Sequence, residues 1–131
     1  GEPIDVRLGR ICRTLADVIE RYGPTELAIE SIYFGENTKS AIATAQARGA
    51  AIVACSTAGL KVGEYTPMQI KQAVVGTGAA DKHQVAYMVR SVLALDHEPR
   101  PDHAADALAA AVCHANVTRT KSLSESRRVL T

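Results

Sequence analysis

No run of apolar residues in this 131-residue chain approaches the ~20 that a membrane span requires. An excess of one charge is missing too. The formal net charge is +1, so any surface for a polyanion must be local rather than global. The opening stretch "GEPIDVRLGR" is polar and carries no apolar run of the secretory type. Cysteine is sparse: Cys12, Cys55 and Cys113 are odd in number and widely spaced. That pattern argues against zinc or a disulfide framework and for buried free thiols in a reducing cytoplasm. A nucleophile elbow G-x-S-x-G, a dinucleotide fingerprint and Cys/His zinc spacing are all absent. "GTGAADK" lacks the G-x-x-x-x-G-K-[ST] spacing of a phosphate loop. No internal repeat or low-complexity segment is present.

What is there predicts one domain over residues 1–131, since 47% apolar residues suffice for a core. Ile4, Leu8, Ile11, Leu15, Val18, Ile19 and Tyr22 recur at helical spacing, and Gly23-Pro24 ends the run. "ELAIESIYF", residues 26–34, is β-branched and aromatic and too short for a typical helix, so it predicts a strand. Residues 37–59 predict a long helix, capped by Asn37 or Thr38 and followed by Gly59. Its centre carries only Lys39 and Arg48 as charges and is lined by Ala41, Ala45, Gly49 and Ala51, a surface suited to close packing or a partner subunit. "LKVGEYT", residues 60–66, predicts a second strand, so that strand, helix and strand form a right-handed parallel crossover. Thr66-Pro67 starts a short helix that ends at Gly76. Residues 81–95 predict an amphipathic helix with Val85, Met88, Val89, Val92 and Leu95 inward. Pro99 and Pro101 precede an alanine-rich helix, and residues 121–131 are expected to be a flexible basic tail.

Three residues could carry chemistry. Glu30 is a carboxylate in the middle of an apolar strand, where an unpaired charge is costly. His103 and Asp106 lie three apart on the alanine-rich helix, about 60° apart around its axis. Carboxylate oxygens suit Mg²⁺ and an imidazole suits Mn²⁺ or Zn²⁺. Equally, His103 and Asp106 could be an ordinary helix start with a dipole-complementing acid. Lys71 and Lys82 could hold a phosphate, or could simply be solvated. Tyr33 and Phe34 could stack on an unpaired base, or could cover the core.

"LAIESIYFGENTKSAIATAQARGAAIVA", "YTPMQIKQAVVGTGAADKHQVAYMVR", "HAADALAAAVCH" and a late "SESR", in this order, resemble the RuvC-type Holliday-junction resolvases from about Ile4 to Arg128. The resemblance implies an α/β, ribonuclease-H-like fold and a homodimer through the helix over residues 37–57. It implies a metal-dependent endonuclease that nicks symmetric strands of a four-way DNA junction in recombination and repair, using Mg²⁺ or Mn²⁺, in the cytoplasm and alongside branch-migration motor proteins. Glu30 in "AIES" and Asp106 in "AADALA" match catalytic, metal-binding acids of the family. His103 matches a position that holds aspartate or histidine. Lys71 and Lys82 match basic residues near the scissile phosphate, and Tyr33, followed by Phe34, matches an aromatic DNA-stacking position. Asp102 is off the motif and is not counted.

Family members begin with strands that include a "GIDPG" metal-ligand aspartate, and this sequence has no such strand. The expectation is therefore an N-terminally truncated ribonuclease-H-like unit: the parallel strand–helix–strand plus several helices. The alternative to a resolvase is a non-catalytic dimeric module that binds branched DNA.

Overall fold

A computed structural model describes residues 1–31 and 38–129, with Thr38 described by its backbone alone. The elements run α1 (Ile4–Tyr22), β1 (Glu26–Glu30), α2 (Thr38–Thr57), β2 (Lys61–Tyr65), α3 (Pro67–Val75), α4 (Lys82–Val92) and α5 (Asp102–Val129). β1 and β2 are neighbours in a parallel two-stranded sheet. The described chain falls into two compact units, Gly1–Leu27 with Ser31–Gly63, and Ala28–Glu30 with Glu64–Thr131. The boundary passes through the sheet, so each strand contributes its first residues to one unit and its last to the other.

The first unit is a helix pair. In α1 the half-buried positions Leu8, Ile11, Cys12, Leu15 and Ile19 follow i, i+3, i+4, i+7, i+11 spacing, and no residue of the helix is fully buried. One side of α1 therefore packs on α2. Gly23 closes α1 in the left-handed region (φ 60°) and donates its N–H to the Ile19 carbonyl. The Cys12 thiol donates to the Ala50 carbonyl at 3.6 Å. On the other side of α2, Ile42, Ala45, Gly49 and Val53 are exposed, spaced i, i+3, i+7, i+11.

The second unit has the core. Tyr65, Ile70, Val74, Ala80, Val85, Val89, Ala109, Ala110, Val112 and Cys113 form one buried cluster, with Ala28 of β1 packed against it. Helix α5 buries alanines at 105, 109 and 110, and these small side chains let its backbone approach closely. The Tyr65 hydroxyl and His114 Nδ1 share a hydrogen bond, with the two rings edge to face at 5.7 Å. Both α3 and α4 begin with capping boxes. Thr66 accepts from the Gln69 N–H while the Gln69 side chain accepts from the Thr66 N–H; Asp81 and Gln84 do the same.

One expectation needs correction. Val92 was placed inward, but it is 54% exposed. The helix stops there because Ala94 turns into the left-handed region (φ 52°) and Arg90 donates to the carbonyls of Leu95 and Asp96. Val92 therefore ends the helix with no core beneath it. The basic segment from residue 121 is helical as far as Val129. No glycine or proline interrupts residues 102–129, and Thr120, Ser124 and Ser126 return their hydroxyls to carbonyls three or four residues back. The three cysteines are free, and burial pushes the Cys55 and Cys113 thiols above their usual range.

Val89 is completely buried at the centre of the α3–α4–α5 cluster. Val89→Ala is expected to lower unfolding stability by about 2 kcal/mol, measured by urea denaturation, because the cavity it leaves cannot collapse fully among three helices.

Candidate functional site

A cavity of about 500 Å³ opens in the second unit. Its walls come from the end of β1, the first turns of α3 and α4, the segment before α5 and the first two turns of α5. Glu30 stands at the C-terminal end of β1, Lys71 on α3, Lys82 and His83 at the start of α4, and Asp102 and Asp106 on α5; all line the cavity. Glu98 and Arg100 line it from the loop between α4 and α5.

The sequence places these groups for separable local reasons. Alternation along β1 puts Ala28 and Glu30 on one face, so the packing of Ala28 on the core turns Glu30 toward the same unit. The Asp81 capping box fixes the first turn of α4, and with it Lys82. On α5 the buried alanines 105 and 109 orient the helix, and Asp106 lies beside them on the cavity wall.

Glu30 titrates above the ordinary glutamate range. Partial removal from water raises it most, the charge of Asp106 raises it further, and Lys71 and Lys82 pull it back. Glu30 and Asp106 therefore sense one another, and the two lysines neutralise part of the negative charge between them.

Of the seven expected site residues, the structure brings Glu30, Asp106, Lys71 and Lys82 to one cavity. His103 is exposed on α5 and is not among the lining residues. Asp102, set aside on the motif, is among them. The helix explains the difference in lining: Asp102 and Asp106 are four apart, about 40° around the axis, while His103 turns about 60° from Asp106 to the opposite side. That i, i+4 pair was the available signal for Asp102. Arg100 and His83 were also missed, because nothing in their local spacing marks them. Tyr33 and Phe34 lie outside the described residues.

Among the described residues, no three His, Cys, Asp or Glu side chains stand close enough together to hold a metal ion by themselves. The expected three-member set of Glu30, His103 and Asp106 is therefore not assembled as a cage. The mutual repulsion of Glu30 and Asp106 is nevertheless what a hard cation relieves. Two carboxylates with water and phosphate oxygens make up a common Mg²⁺ shell.

Because the folded protein binds a proton at Glu30 more tightly than the unfolded chain does, the stability it contributes is complete at acid pH. It is lost as pH rises through the raised value. Glu30→Gln is thus expected to raise the melting temperature of the metal-free protein at pH 7, with the gain vanishing below about pH 4. Paired thermal melts across that range in a chelating buffer check it.

The family model described as crossover junction endodeoxyribonuclease RuvC matches residues 1–114. Among relatives carrying that description, one from Desulforamulus reducens is 45% identical over 118 residues, covering 90% of this chain and 72% of its own length. One from Marinobacter nauticus is 50% identical over 119 residues, covering 91% and 67%. The solved structure of Thermus thermophilus RuvC superposes with a TM-score of 0.85 at 43% identity, over 92% of this chain and 72% of that one. A second structure, of T. thermophilus RuvC in complex with a Holliday junction substrate, gives 0.87 at 43% identity over 92% and 73%.

Proposed function

The chain belongs to the RuvC family of crossover junction endodeoxyribonucleases, and from that premise we propose that it cleaves the strands of a four-way DNA junction at the cavity holding Glu30 and Asp106. The observation that carries this reading is the meeting of those two carboxylates with Lys71 and Lys82 in one cavity. Acids and cations so mixed suit a phosphodiester. The lysines attract the phosphate and offset its charge, while the carboxylates occupy the place where a cation must be held.

The family's chemistry is metal-dependent. Glu30 and Asp106 would hold Mg²⁺, or Mn²⁺ in its place, and the bound metal supplies an activated water and charge stabilisation at the phosphate. The protein's own part is positional. β1 and α5 hold two oxygen donors fixed against a packed core. Lys71 and Lys82 bind phosphate oxygens as point charges. The pairing of two such cavities on symmetric strands calls for a second copy of the chain. The exposed stripe of Ile42, Ala45, Gly49 and Val53 on α2 supports that pairing, being apolar and small enough for close helix contact. At Gly49 no atom lies within 4 Å of where a Cβ would stand.

Two measurements test the reading. Glu30→Gln and Asp106→Asn should each slow junction nicking by about 100-fold or more, the scale on which single charge-stabilising groups act. Both should still bind the junction in a gel-shift assay. Near-normal nicking by either variant removes that residue from the site, and a wild-type chain that binds the junction with Mg²⁺ or Mn²⁺ present but does not nick it favours a purely DNA-gripping module. On α2, Val53→Glu should weaken self-association by at least about 100-fold, from about 3 kcal/mol for an unpaired charge in an apolar contact. Sedimentation velocity over a dilution series reads this directly.

A further inference from the structure

Arg100 lines the cavity from the loop before α5, yet the attraction of Lys71 and Lys82 for the Glu30 carboxylate has no counterpart from it. Arg100 stands on the loop wall of the cavity, with Glu98, Pro99 and Asp102 among the lining residues next to it in sequence. Its side chain is exposed and makes no hydrogen bond or ion pair among the described residues. It stands between Pro99 and Pro101, whose rings fix the backbone dihedrals on both sides of it. A guanidinium held on a stiff segment, uncommitted and facing a cavity that already holds lysines, presents a planar fork of donors. Such a fork pairs with two oxygens of one phosphate, which a lysine cannot do.

We propose that Arg100 grips a second phosphate of the bound DNA strand, adjacent to the one addressed by Lys71 and Lys82, through a bidentate contact. The proposal rests on the nuclease reading of this cavity. The division of labour follows from charge. Cations at the Glu30 end must share their field with Glu30 and Asp106. Arg100, outside that cluster, keeps its charge for the DNA backbone and sets the register of the strand across the cavity. The contact is with phosphate and so carries no base preference.

The test is binding of the full chain to an immobile four-way DNA junction by fluorescence anisotropy, with Ca²⁺ in place of Mg²⁺, over a series of salt concentrations. Wild type, Arg100→Ala and Arg100→Lys are compared, with thermal melts to establish that each is folded. Each neutralised phosphate contributes about 0.9 to the slope of log affinity against log salt. Arg100→Ala is expected to bind about 10-fold more weakly near 0.1 M salt, with a slope smaller by about one such increment. Arg100→Lys should keep the wild-type slope while recovering only part of the affinity, because charge survives and the fork does not. Wild-type binding together with an unchanged slope in Arg100→Ala overturns the proposal alone. Full recovery by Arg100→Lys overturns the bidentate contact. A wild-type chain that does not bind the junction overturns the nuclease reading and this proposal with it.

Discussion

Glu30 and Asp106 come from segments far apart in sequence and are brought to one cavity. Glu30 holds its proton more tightly than a free glutamate, first because it is partly withdrawn from water and then because the Asp106 charge opposes its own. A fold that only had to be stable would not keep this pair. Replacing either acid by a neutral isostere removes a repulsion. The arrangement is tolerated because Lys71 and Lys82 lean on the same carboxylate and because the surrounding core is strong enough to bear a local cost. The remaining features of the second unit serve that meeting: the Ala28 packing that aims β1, the alanines that seat α5, and the capped helix starts that carry the cations.

The core that bears this cost is built mostly of small and branched residues. Val89 and Cys113 are its largest fully buried side chains, and α5 contributes alanines where a bundle would more often place leucine. Small side chains bring helix axes closer and leave few rotamers to choose among. The geometry of α5 is accordingly set by backbone proximity. A one-residue slip would rotate Asp106 by about 100° off the cavity.

Much of this was legible in the sequence where a local rule decides. Gly23 and Gly76 end helices in the left-handed region, and Thr66-Pro67 opens one with a capping box. Glu30 stood out because a carboxylate in an apolar strand demands a reason. The parallel strand–helix–strand order follows from periodicity alone. Less legible was anything set by contacts distant in sequence. Val92 has the right spacing for the core and lost it when Ala94 turned the chain. The division into two units was invisible, since composition permits one core and does not say how it is shared. At the site, the motif drew attention to His103, whereas the helical angle to the buried alanines puts Asp102 on the cavity wall. Arg100 had no periodic signature and became visible only once the loop before α5 was folded against the cavity.

The two capping boxes have a consequence for how the cavity meets a polyanion. Thr66 with Gln69, and Asp81 with Gln84, tie down the first turns of the helices that bear Lys71 and Lys82. Helix beginnings ordinarily fray, and a cation on a fraying turn must be stilled when its ligand arrives. Here that stilling accompanies folding, so the backbones beneath both ammonium groups are already rigid at the moment of encounter. The loss of disorder on association then falls mainly on the nucleic acid and on the lysine side chains themselves.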